Sequence, residues 1–157
     1  MKFFISLLII INVCSFAIAQ ESPPWGSAEA STMSYAPQKV LYDLTAGSEK
    51  KINNILDRAS LLNKLYNNDP FDASIVIIIH GSAIPFFAKN QYEKHKALMQ
   101  RAQDLKLATR IEYRMCQASA KMQGFSPADI HGFVNMVPMA DAEIIKLQNE
   151  EGYAYMR

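Results

Sequence analysis

Three side chains of this 157-residue chain have types suited to chemistry and fall where an apolar run gives way to a turn. Cys116 follows TRIEYRM (109–115) and precedes QASAKMQ (117–123), a step from strand to helix. A sulfur at such a step lies beside unpaired backbone N–H groups and the positive end of a helix dipole. Both favour thiolate over thiol, and the thiolate is the nucleophile. Position alone leaves a second role open, in which Cys116 is a small buried hydrophobe. His80 closes the run SIVIIIH (74–80), where an imidazole can orient or deprotonate a thiol. The same ring can instead bond a backbone carbonyl at the strand end. Asp43, at the end of KVLYDL (39–44), is placed to orient His80 from a neighbouring strand. Arg114 points to the face opposite Met115, so it reaches the thiol only if the strand end twists.

These turns need elements that deliver them to one side of the molecule. KVLYDL reads as a short strand turned by Thr45-Ala46-Gly47-Ser48. Ile52, Ile55, Leu56, Ala59, Leu62 and Tyr66 then recur at helical spacing until Asn67-Asn68-Asp69-Pro70 stops them. SIVIIIH is apolar and β-branched on both faces, the pattern of a central strand in a parallel sheet. Gly81 supplies the sharp turn out of it. A helix is expected from Asn90, capped by Glu93, with Tyr92, Met99, Ala102 and Leu105 on its apolar face. TRIEYRM is the third strand, and QASAKMQ is a short helix closed by Gly124. Ser126-Pro127-Ala128-Asp129 predicts a new helix start. FVNMV (133–137) makes a fourth strand, ADAEIIKLQNEE (140–151) a last helix and YAYM (153–156) an edge strand. This alternation calls for an α/β fold with a mostly parallel sheet of about five strands and helices on both faces. In such sheets the functional crevice lies beyond the carboxyl ends of the strands.

The start of the chain reads as an export signal. Lys2 is followed by the almost wholly apolar Phe3–Phe16 and then by Ala17-Ile18-Ala19, a small-x-small cleavage site. A signal peptide is therefore expected over 1–19, a flexible linker or tail over 20–37 (QESPPWGSAEASTMSYAP) and one domain over 38–157. The expected location is periplasmic or secreted, with no membrane contact once the signal is removed. Loss of Lys2 leaves 15 basic and 15 acidic residues. No basic stripe with interleaved aromatics is present, so nucleic acid is not an expected partner. Loss of Cys14 leaves Cys116 alone, unable to form an internal disulfide. His95 is expected to be half-exposed beside its helix, and His131 to close a helix as a cation. No two histidines have metal-ligand spacing, so no metal is expected. There is no GxGxxG, no GxxxxGK[ST] and no GxSxG, and no cofactor is expected.

Several of these segments taken in order resemble the DsrE/DsrF-like family. The resemblance rests on Cys116-Gln-Ala-Ser-Ala-Lys-Met-Gln-Gly124 after a third strand, Val137-Pro138, and His80-Gly81 after an apolar strand. It also rests on Glu143-Ile-Ile-Lys-Leu-Gln148 with Gly152-Tyr153-Ala154-Tyr155. It spans about residues 38 to 157. The resemblance implies a flavodoxin-like three-layer fold and assembly into trimers or hexamers. It also implies a cysteine at the position of Cys116 that carries sulfur as a persulfide and hands it to a partner protein. Sulfur-relay members of that family work in the cytoplasm, whereas this chain has the marks of export.

Three functions compete. In the first, Cys116 is a persulfide carrier, with His80 as base or orienter and a sulfur donor or acceptor protein as partner. The second is an oligomeric module that binds a small ligand or protein, with Cys116 buried as packing and Tyr153 and Tyr155 suited to subunit contacts or to a small-ligand pocket at the strand ends. The third, a true cysteine enzyme, needs a base held by an orienting group, and only His80 with Asp43 fits that need.

Overall fold

The computed structural model describes residues 23–69 and 71–157. The expected signal peptide over 1–19 lies outside the described residues. The chain divides into an N-terminal unit ending at Ser34 and a second unit, Tyr35–Arg157. Residues 23–37 form no helix or strand.

The second unit carries five strands and four α-helices. They are β1 (Gln38–Leu44), α1 (Glu49–Leu65), β2 (Ala73–Ile79), α2 (Lys96–Ala108) and β3 (Glu112–Cys116). After these come α3 (Gln117–Met122), β4 (Val134–Val137), α4 (Ala140–Asn149) and β5 (Ala154–Met156). The sheet order is β4-β3-β2-β1-β5, and every pairing is parallel. β2 has strands on both sides and helices above and below, which is why six of its seven residues are buried and why its sequence is apolar without alternation.

Alternate residues of the strands separate two cores. Val40, Tyr42 and Leu44, with Ile75, Ile77, Ile79, Tyr113 and Met115, pack against Ile52, Leu56 and Ala59 of α1 and Met99 and Ala102 of α2. On the other face Leu41, Val76, Ile78 and Cys116 pack against Ala140 and Leu147 of α4. The handedness of crossovers explains the division. The chain steps from β1 through β4 in one direction, so α1 and α2 lie on one face. The connection from β4 to β5 runs back across the sheet, so α4 falls on the other. The result is a three-layer α/β/α arrangement of the flavodoxin-like kind, as the order of elements requires.

Two expected helix starts are displaced. The helix expected from Asn90 begins at Lys96, and the chain before it forms short 3-10 turns over Gly81–Phe87 and Lys89–Gln91. Tertiary contacts override local propensity there: Ala88 bridges to Ile130, and His95 pairs with Glu49. At Ser126 the expected start forms, with the Ser126 N–H and Oγ both donating to Asp129 Oδ2 at 2.8 and 2.6 Å. The helix stops after one 3-10 turn, Pro127–Asp129, because Ile130 is taken into the core and into that bridge. No helix among the described residues is long and apolar enough to cross a membrane.

The two-sided burial of β2 sets the expected mutational pattern. Ile77→Ala removes a fully buried side chain and is expected to cost about 2–5 kcal/mol in urea unfolding. Leu61→Ala, at a largely exposed position on α1, is expected to stay within about 0.5 kcal/mol of wild type.

Candidate functional site

The carboxyl ends of four neighbouring strands bring one polar side chain each to the face covered by α4. Leu41 and Cys116 lie on that face, and strand alternation puts Asp43 and His80 there with them. Ile79 is in register with Met115, so His80 and Cys116 are the next lateral neighbours along the two chains. β5 pairs Tyr155 with Leu41 on the far side of β1. Tyr155, Asp43, His80 and Cys116 therefore form a row across β5, β1, β2 and β3.

Most of the row is joined by hydrogen bonds. His80 Nε2 lies 2.6 Å from Asp43 Oδ1, and the Asp43 side chain is only 6% exposed against 24% for His80. An ionised carboxylate can only accept, so Nε2 donates to Asp43 Oδ1. Tyr155 Oη donates to Asp43 Oδ2, and Arg157 Nε donates to Tyr155 Oη at 3.0 Å. Burial, helped by the bond to Asp43, pushes the Tyr155 phenol above its ordinary pKa, which keeps it a donor. Asp43 thus has both oxygens engaged, and the His80 ring is held in one orientation.

Cys116 occupies the N-cap position of α3, where the Ser119 N–H donates to its sulfur at 3.3 Å. Two further bonds tie this turn to the one at His80. The Gly81 N–H donates to Ser119 Oγ at 3.2 Å, and Gln123 Nε2 donates to the Gly81 carbonyl at 2.9 Å. Gly81 has φ +57, a region that costs an L side chain roughly 1–2 kcal/mol, so the expected sharp turn is present. Cys116 and His80 line one crevice of about 180 Å3, walled by Ala118, Ser119, Met122, Met139, Ala140 and Asp141. Cys116 itself is 5% exposed.

The remaining expected side chains are placed differently. Arg114 needs no twist to share the face of Cys116, since residues two apart point the same way. Its charge is committed elsewhere, to Glu143 at 2.5 Å and Glu112 at 2.7 Å. His95 is buried at 8% exposure rather than half-exposed, with Glu49 2.5 Å from Nδ1 and the Phe86 ring beside it. His131 closes no helix. It stacks on Phe133, and burial followed by the nearby Lys89 charge holds its pKa below the ordinary 6.5. It therefore favours the neutral form, the reverse of the expected cation. Among the described residues no group of three or more His, Cys, Asp and Glu is arranged to hold a metal ion.

Ser119, Gln123 and Arg157 enter the site unannounced by the sequence, whereas Tyr155 was expected at a subunit contact or a strand-end pocket and not as a partner of Asp43. The alternation of YAYM gave Tyr155 a strand face, but its neighbour depends on β5 returning to the outer edge of β1.

A parallel α/β/α domain with its polar row at the strand ends defines the class. The chain belongs to the DsrE/DsrF-like family, whose profile matches residues 39–157. A solved structure, "Structure of Protein of Unknown Function MTH1491 from Methanobacterium thermoautotrophicum", is similar to it with a TM-score of 0.59. The two share 16% identity over 76% of this chain and 98% of that one, a likeness of fold. No curated protein matches this chain.

Two outcomes follow from the geometry. Tyr155→Phe strips Asp43 Oδ2 of its donor and is expected to cost about 1–3 kcal/mol in urea unfolding. The second concerns His131, whose pKa is lower folded than unfolded. Its contribution to stability is present above about pH 6.5 and is lost as pH falls through its lower folded value. Unfolding midpoints between pH 7.5 and 5 are expected to fall less for His131→Gln than for wild type.

Proposed function

We propose that this protein is an exported sulfur carrier that holds sulfane sulfur as a persulfide on Cys116, with His80 as the base that takes the thiol proton. The observation that carries the proposal is the in-register placement of Cys116 beside His80, whose Nε2 is fixed on Asp43. Family membership supports a sulfur-relay-like role at family level. Residues 1–19 support export to the periplasm or beyond.

The chemistry is a displacement at sulfur. The Cys116 thiolate attacks the outer sulfur of a donor persulfide or of thiosulfate. The donor's S–S bond breaks, and its thiolate or sulfite leaves with the electron pair. No oxidant or cofactor is consumed. His80 Nδ1 is free to accept the thiol proton, and the Ser119 N–H stabilises the sulfur anion. Met122 and Met139 stand in the crevice wall. Their unbranched, adaptable side chains suit a mouth that widens for a donor. The protein acts as a carrier rather than a catalyst, since the sulfur leaves with an acceptor protein.

One observation favours the second reading. Cys116 is buried and belongs to the small core that includes Leu41, Val76 and Ala140. On that reading the domain is a binding module that assembles as a trimer or hexamer and the thiol is packing.

Incubation of the protein with thiosulfate, followed by intact-mass measurement, separates the two. The carrier is expected to gain one sulfur, removable by thiol reductant and absent from Cys116→Ser. An unchanged mass, or an equal gain in Cys116→Ser, overturns the carrier and leaves the module.

A further inference from the structure

A second crevice opens at the carboxyl end of β1 and runs along the first turns of α1. It holds about 620 Å3, within the range of small-molecule sites. Four cations from two separated parts of the chain line it: Lys50, Lys51, Arg58 and Arg157. The whole chain has 16 basic and 15 acidic residues, so this concentration is local and not a consequence of composition. The one acid in the lining, Asp43, already binds His80 and Tyr155 and lies 3.8 Å from Arg157. Among the described residues no side-chain carboxylate pairs with Lys50, Lys51 or Arg58.

Arg58 is positioned before any ligand arrives. Its Nη1 donates to a main-chain oxygen of Arg157 at 2.5 Å, and its guanidinium stands 5.0 Å from the centre of the Tyr42 ring. That bond uses one of five N–H donors. A planar fork held this way matches two oxygens of a phosphate or sulfate. Ser48 precedes α1 without a side-chain cap, and the Lys51 amide bonds its carbonyl, which leaves the Glu49 and Lys50 amides as donors at that end. No aromatic ring is among the lining residues, so the cavity offers charge and hydrogen-bond donors rather than an aromatic platform for a nucleobase.

We infer that this cavity binds a tetrahedral oxoanion, carried either as a free anion or as the phosphoryl group of a small metabolite. The site shares Asp43 and Arg157 with the row that ends at Cys116, but it requires no chemistry at Cys116. Titration calorimetry with inorganic phosphate and with glycerol 3-phosphate, at ionic strength fixed by sodium chloride, tests it. One saturable site is expected for at least one of the two. Tighter binding of glycerol 3-phosphate assigns a phosphorylated metabolite, and equal or weaker binding assigns the free anion. The exposed pair change Lys50→Ala with Lys51→Ala is expected to weaken binding about tenfold. Arg58→Lys, which keeps the charge and loses the fork, is expected to weaken it as well. Lys64→Ala, at the far end of the same helix, and Cys116→Ser are expected to bind as wild type does. Absence of a saturable site for both probes, or unchanged affinity in the lysine pair variant, overturns the inference.

Discussion

The hydrogen bond between His80 and Asp43 ties the carboxyl ends of two neighbouring strands on the face beneath α4. It is charge-assisted, and its acceptor is nearly inaccessible to water, a setting in which such a bond contributes about 1.5–3 kcal/mol. Its structural consequence exceeds that figure. By engaging Nε2 it leaves Nδ1 as the ring nitrogen not bound to Asp43, and it sets the ring between Asp43 and the strand that carries Cys116.

Topology makes the bond possible. An all-parallel sheet sends every strand end to the same edge, so residues far apart in the chain meet there without any long loop. The return from β4 to β5 does two further things. It lays α4 over the face that holds Asp43, His80 and Cys116, and it brings Tyr155 to the open side of β1, where it closes the carboxylate's hydrogen bonding. The exits from β3 and β4 also part company, with Ala120 of α3 packed in one core and Ala140 of α4 in the other. The crevice at Cys116 lies where they separate, the position at which open sheets of this kind accept ligands.

The strands and the longer helices were legible because their signals are periodic and their burial follows from the sheet. SIVIIIH allowed no other placement than a strand covered on both faces. The late start of α2 and the single turn at Pro127–Asp129 were not legible, since Asn90 and Ser126 carry good local caps. What overrides them is a bridge between Ala88 and Ile130, 42 positions apart in sequence. At the site, Cys116, His80 and Asp43 could be named from their positions at strand ends. Their grouping on one face required register, and Tyr155 required the strand order. His131 was misread for the same reason: a His-Gly pair resembles a helix end, while the ring is packed against Phe133.

The central claim is that His80, aligned by Asp43, governs the reactivity of the Cys116 thiol. The rate of alkylation of Cys116 by iodoacetamide in the folded protein, followed from pH 5 to 9, tests it most directly. The account predicts labelling at neutral pH that slows several-fold in His80→Gln and in Asp43→Asn, with the pH dependence moved toward that of an ordinary thiol. Identical profiles in all three proteins, with rapid labelling only after unfolding, would contradict it.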